Sequence, residues 1–248
     1  MLAYMLSFID RQVLVLMIEP MQRDLGINDT MFSLLHGTSF ALFYAVSGIF
    51  IGKLMDRGNR VRLIVWAVAL WSFATVLCGV ARGYVQLFGA RMLVGVGEAG
   101  LSPGAYSLLS DYNEPRKRSN AFAIYSAGIY LGSGMAFVLG GRLIQYLETI
   151  PPIDVPLLGA TESWRMTFLI VGVPGFILAM IIKWLIAEPE RGIQEKLAAA
   201  ASPEPAVVAP SPRADTFADF FRFVKSKWQA YLCHNLGFGL HMMYSFAL

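Results

Sequence analysis

Four windows of this chain hold no Asp, Glu, Lys or Arg: Met31 to Gly52, Leu63 to Ala81, Ala121 to Gly141 and the slightly shorter Met166 to Ile182. About 20 helical residues cross a ~30 Å hydrocarbon layer. A backbone at that depth finds no water, so only helices and closed barrels can span it, and uninterrupted apolar runs of this length fit helices. Two further stretches, Met1 to Ile18 and Tyr84 to Leu109, have similar length but carry charges, and a seventh apolar run begins near Trp228. The expected fold is therefore an all-α membrane protein. Composition agrees: only 15% of residues are charged, against roughly a quarter in soluble domains. A signal peptide is the alternative for Met1 to Ile18, but that stretch lacks a basic leader and a small-residue cleavage site, and Asp10-Arg11 interrupts it.

Loop charges orient the spans, because short cytoplasmic loops carry the Lys and Arg excess. Lys53, Arg57, Arg60 and Arg62 follow the second span, and Arg116, Lys117 and Arg118 follow the fourth. The other side holds Arg23, Arg82, Arg142 and Arg165, and its long loop from Glu148 to Ser163 has no basic residue. An N-terminus in the cytoplasm and residence in the cell (inner) membrane are expected. The net charge of +3 follows from this topology and points to no nucleic-acid partner. Residues 1 to 187 should form a six-helix bundle and 188 to 215, rich in Ala, Pro and Ser, a cytoplasmic linker partly disordered. Within 216 to 227, Phe217, Phe220, Phe221 and Val224 at helical spacing, with Arg222, Lys225 and Lys227 between them, suit a helix lying in the membrane interface or simply the wet start of the next span. Residues 228 to 248 begin span seven, so a second bundle and a protein of about twelve spans are expected. Gly128, Gly132, Gly134, Gly140 and Gly141 should let another helix approach span five closely. Cys78 and Cys233 lie in apolar runs and suit packing thiols better than a disulfide or a metal site.

"GKLMDRGNRVR", residues 52 to 62, follows the second span. Gly52 permits a tight helix exit, Asp56 can meet a helix N-terminus or an arginine, and Arg57 and Arg60 can hold the loop at an anionic leaflet; plain positive-inside charge is the simpler alternative. The pattern G-x-L-x-D-R-x-x-R resembles the loop motif of the major facilitator superfamily. That resemblance implies gating by Gly52, Asp56, Arg57 and Arg60 in a latch against a second bundle. "FIDRQVL", "RMLVGVGEAGLSPGAYSLLSDYNEPRKRS", "GSGMAFVLGG", "WRMTFLIVGVPG" and "AEPERG" resemble one branch of it, the Spinster-type lipid transporters. The implied protein alternates between two openings and moves a lysolipid or sphingoid phosphate, with protons as the coupling ion in some members. Animal members read GEASY where this chain continues Gly100-Leu101, so ligand identity does not carry over.

Asp10, Arg11, Glu19, His36, Arg91 and Glu98 fall at or near membrane depth. A charge there costs at least ~2.5 kcal/mol and marks a pathway or a buried partner. Glu19, before Pro20 at the end of its span, should be solvated, and His36 reads as a packing residue. Arg91 and Glu98 stand seven apart, on nearly one helix face about 10 Å apart along the axis, too far to pair directly. Asp10 and Arg11 can meet them if spans one and four flank one cavity. Arginine stays charged, so Asp10 and Glu98 are the candidates for proton coupling, and Arg11 and Arg91 for binding an anionic, amphipathic lipid substrate. The alternatives are a static ion network, a proton-coupled carrier of a small organic anion, and a membrane-embedded sensor or enzyme. No catalytic, metal or cofactor motif is present in the sequence. The expected partners are the substrate, protons and the bilayer, with the protein a monomer.

Overall fold

The computed structural model describes residues 1–151, 153–155, 159–201 and 217–247. Residues 1–198 form one compact unit and 199–248 another.

The first unit opens with α1 (Leu2–Leu16) and α2 (Ile18–Leu25), which break at Met17. Gly26 ends α2 in the left-handed region, φ 62°, where glycine carries no Cβ penalty. The Asn28 side chain then accepts from the Met31 amide at 2.9 Å and starts α3 (Asp29–Ser33). A π-helical turn over Leu34–Thr38 joins α3 to α4 (Ser39–Arg57). Asn59 caps α5 (Arg60–Val80) in the same way as Asn28, at 2.8 Å from the Arg62 amide.

Next come α6 (Tyr84–Glu98) and α7 (Leu101–Tyr112), separated by Ala99 and Gly100. Pro115 sits at the first turn of α8 (Pro115–Met135), where its missing N–H costs nothing. A second π turn, Ala136–Gly140, leads to α9 (Gly141–Thr149). The loop expected between Glu148 and Ser163 contains a short antiparallel hairpin, β1 (Ile153–Val155) with β2 (Gly159–Thr161), pairing Ile153 with Thr161. Then follow α10 (Ser163–Leu185) and α11 (Ile193–Ala201). The second unit contains α12 (Phe217–Ser226) and α13 (Trp228–Ala247).

Among the described residues, four helical stretches are long and apolar enough to cross a membrane: Asp29–Arg57, Arg60–Val80, Pro115–Thr149 and Ser163–Leu185. These contain the four charge-free windows, apart from Ala81 at the end of the second. The two charged stretches are the two that break, at Met17 and at Ala99-Gly100.

Lipid is as apolar as a leucine side chain, so helices in a bilayer associate through close packing and hydrogen bonds rather than the hydrophobic effect. Small residues make that packing here. A methyl group on Gly95 of α6 would stand 2.6 Å from the Phe40 carbonyl oxygen on α4, and one on Gly97 2.7 Å from the Trp71 nitrogen on α5. Gly132 of α8 lies against the Met5 backbone of α1, with Gly128 and Gly140 also facing α1. Gly134 and Gly141 have no such neighbour. Between the helices lies a core that includes Leu14, Val68, Trp71, Val94, Trp164 and Phe168. Large apolar side chains such as Phe50, Trp66, Tyr130 and Trp184 point away from it and are exposed on this unit.

Candidate functional site

α1 carries Ser7, Asp10, Val13 and Leu14 on its buried face, and α6 carries Arg91, Val94, Gly95 and Glu98 on its own. Both follow the helical i, i+3, i+4, i+7 spacing, with polar groups occupying positions a core would fill with apolar ones. Since Gly95 holds α6 against Phe40, and α6 also packs on α5 through Gly97 and Trp71, the charges of α6 face α1 across a narrow gap.

The pairing is crossed. Arg91 and Glu98 do not bond each other; Arg11 instead reaches Glu98, with Nε at 2.7 Å and Nη2 at 2.5 Å from Oε2. Ser7 Oγ donates to the same oxygen at 2.6 Å. The Arg11 guanidinium also stands 4.4 Å from the Phe40 ring centroid, 4.9 Å from that of Phe8 and 5.2 Å from that of Tyr44, within cation–π range. Its side chain remains 24% exposed while that of Glu98 is fully buried, so the arginine is the accessible member of the pair.

Asp10 is buried and accepts a hydrogen bond from Thr75 Oγ1 of α5 at 2.5 Å. Arg91 lies within electrostatic reach of it and is equally buried, at 1% exposure. Its Nε and Nη1 have no hydrogen-bond partner among the described residues, nor do Asp10 Oδ1 and Glu98 Oε1. His36, in the first π turn, stacks on Phe32 and also feels the Arg91 charge. Glu19 is solvated and pairs with Arg23 at 3.0 Å. Sequence spacing brought out Asp10, Arg11, Arg91 and Glu98; it missed Ser7 and Thr75. Their only signal was a hydroxyl on the buried face of a span.

The residue 52–62 loop differs from its expected form in two respects. The helix exit expected at Gly52 lies at Gly58, because α4 continues through Arg57. Arg60 is not at a leaflet surface: its side chain is 1% exposed, bonded to Asp111 and at 2.7 Å from Glu188. Ser107 Oγ and the Pro189 carbonyl accept from it at 2.8 and 3.0 Å. Glu188 also takes the Val61 amide at 2.9 Å, satisfying one orphan donor at the start of α5. Arg191 donates to the Met55 and Gly58 carbonyls, each at 2.6 Å, at the end of α4. The Gly192 amide reaches Asp111 Oδ1 at 2.9 Å. The stretch from Glu188, expected to be linker, is therefore pinned to the bundle as far as the Glu195–Arg118 pair at 2.5 Å; residues 202–215 of that linker lie outside the described residues. Asp56 and Arg57 are exposed.

At the opposite end of α5, a cleft of about 750 Å³ is lined by Glu19, Arg23, Asp24, Glu148, Glu162 and Met166. Beside it Asp24 accepts from Arg165 at 2.8 Å and from the Trp164 indole at 3.1 Å, tying α10 to the last turn of α2. Among the described residues no group of three His, Cys, Asp or Glu side chains is placed to hold a metal ion.

The family model described as the Major Facilitator Superfamily matches residues 1–248. The chain belongs to that superfamily. As a superfamily member it is an integral membrane protein, and its relatives are transporters rather than enzymes. An MFS-type efflux pump of Mycolicibacterium smegmatis is 30% identical over 203 residues, covering 82% of this chain and 42% of the pump. Protein spinster of Drosophila melanogaster is 27% identical over 191 residues, 77% of this chain and 29% of that protein. A crystal structure of a bacterial homologue of the human lysosomal transporter Spinster, inward-facing and occupied, superposes with a TM-score of 0.71 at 38% identity, over 82% of this chain and 46% of that one. The chain thus spans less than half the length of each of these relatives.

Proposed function

We propose that the protein is a proton-coupled secondary transporter of the Spinster type, working by alternating access on an anionic amphipathic substrate such as a lysolipid or a sphingoid phosphate. The observation that carries this reading is the Arg11–Glu98 pair: a partly accessible cation, ringed by Phe8, Phe40 and Tyr44, neutralising a fully buried acid. A phosphate reaching Arg11 competes with Glu98 for the guanidinium. Glu98, stripped of its counter-charge in a desolvated position, then gains most by taking a proton. Binding and protonation become linked, as a coupled carrier requires. Arg91 is too deeply buried to meet a substrate, so in this mechanism it is the standing counter-charge for Asp10, the second proton site. The Arg60 cluster fastens α4, α5, α7 and the end of α10 into one block, so Asp56 and Arg57 are left to act as the gate against the second bundle.

The test is uptake of a fluorescent lysophosphatidic acid, and separately of a small dicarboxylate, into liposomes carrying the full-length protein, each with and without a pH gradient. Gradient-stimulated lysolipid uptake, abolished by Glu98→Gln and Asp10→Asn, is the expected result. Dicarboxylate uptake alone transfers the mechanism to a small organic anion. Turnover of either probe without flux excludes a carrier.

A further inference from the structure

Both acids of the site are held in the same lopsided way. Asp10 places Oδ2 on the Thr75 hydroxyl and leaves Oδ1 buried with no hydrogen-bond partner among the described residues; Glu98 gathers Ser7 and Arg11 on Oε2 and leaves Oε1 likewise. The two hydroxyls come from different helices, α5 and α1, and both side chains are buried, at 0% and 1% exposure. Neither has an apolar reason to occupy its position.

A hydroxyl has one proton to give. Facing an ionised carboxylate it donates that proton and favours the charged form. The other oxygen of the same carboxylate is buried and unsatisfied, the costlier state for a polar atom. We propose that Thr75 and Ser7 are the positioning residues of proton coupling, and that Asp10 Oδ1 and Glu98 Oε1 are the atoms that receive the proton. The inference rests on the proton-coupling reading above. The balance is simple: a hydronium gives up its proton, an O–H bond forms on the unsatisfied oxygen, the carboxylate loses its charge and one water is left. The hydroxyls keep their own protons throughout, and their bond to the now neutral acid weakens. Around Asp10 the other groups acting on it are Arg91 and Glu98 from α6 and Arg11 from its own helix, with the Cys78 thiol of α5 nearby. Around Glu98 they are Arg11 and Asp10 of α1 and, beyond Arg11, Tyr44 of α4.

Replacing Thr75 by the isosteric valine removes the donor and leaves the shape. The ionised acid loses its bond, so the site should take its proton at a higher pH, by about one unit. Ser7→Ala should move Glu98 in the same direction but less, because Arg11 still donates to the same oxygen. Thr75→Ser restores the hydroxyl and should restore the wild-type midpoint. The experiment is infrared difference spectroscopy of the full-length protein in nanodiscs, following the C=O band of a protonated carboxyl group against pH and assigning it by its loss in Asp10→Asn or Glu98→Gln. An alkaline shift in Thr75→Val, reversed in Thr75→Ser, supports the proposal. A band that vanishes in Asp10→Asn but titrates unchanged in Thr75→Val overturns it and leaves the coupling reading standing. If neither acid contributes a titrating band, the coupling reading fails and takes this inference with it.

Discussion

Arg91 is 1% exposed, with Nε and Nη1 unpartnered among the described residues, and burying a guanidinium in that state is costly. What keeps it there is charge. With Arg91 present the inner faces of α1 and α6 carry two acids, Asp10 and Glu98, and two bases, Arg11 and Arg91. Remove Arg91 and Asp10 is left ionised and buried, with the Thr75 hydrogen bond and an Arg11 already paired to Glu98 as its support. Leaving one buried charge uncompensated typically costs about 3–5 kcal/mol, which the protein can escape by protonating the acid. In Arg91→Leu the folded state should thus hold a proton on Asp10 that the unfolded state releases at neutral pH. Stability then falls as pH rises, since the folded state binds more protons. Thermal unfolding in detergent at about pH 5 and about pH 8 should show a larger loss for Arg91→Leu than for wild type, and Asp10→Asn in the same background should remove the difference. Equal pH responses in the single variant and wild type would show that Arg91 does not compensate Asp10.

The elements divide by how they are stabilised. Charge-free windows predicted α4, α5, α8 and α10 because long apolar runs are a one-dimensional signal. The charged spans were legible as spans; their breaks at Met17 and Ala99-Gly100 fall three or four residues before Pro20 and Pro103, whose rings and missing N–H disrupt the turn ahead of them, a signal that the charge pattern alone passes over. The hairpin in the loop before α10 was equally hidden. Arg60 shows the limit of local reading most clearly. Counted with Lys53, Arg57 and Arg62 it is one more cytoplasmic charge, whereas its partners Asp111 and Glu188 lie 51 and 128 residues further along the chain. Such a pairing leaves no trace in local spacing. Its energetics are testable: Arg60→Ala strands Asp111 and part of Glu188, and should lower unfolding stability by about 3–5 kcal/mol. Arg62→Ala, an exposed neighbour on the same turn, should cost less than about 0.5 kcal/mol. Equal melting temperatures for the two variants would reduce the cluster to surface charge.

For the whole molecule, orientation decides which opening the acids of α1 and α6 serve, and loop charge is what sets orientation. The ends of α4 and α5 near Arg60, and the start of α8, gather Lys53, Arg57, Arg60, Arg62, Arg116, Lys117 and Arg118. The other end, with the cleft and the hairpin, combines Glu19, Asp24, Glu148 and Glu162 with Arg23 and Arg165. Basic residues within short loops resist translocation, and acidic ones contribute little. We propose inward placement of the Arg60 end, and with it a cytoplasmic N-terminus. The same bias is reinforced by the anionic inner leaflet, which holds each nearby Lys or Arg by about 1 kcal/mol. Two positions report on it: Arg62 and Glu162 are both exposed, one at the start of α5 and one before α10. In a background with Cys78 and Cys233 replaced by serine, Arg62→Cys and Glu162→Cys should react with a membrane-impermeant maleimide from opposite sides of intact cells, Glu162→Cys from outside and Arg62→Cys only after lysis. Labelling of both from one side would break the six-span path itself. Labelling of Arg62→Cys from outside would invert the protein, and the acids would then meet the external medium, not the cytoplasm, when the Arg60 end opens.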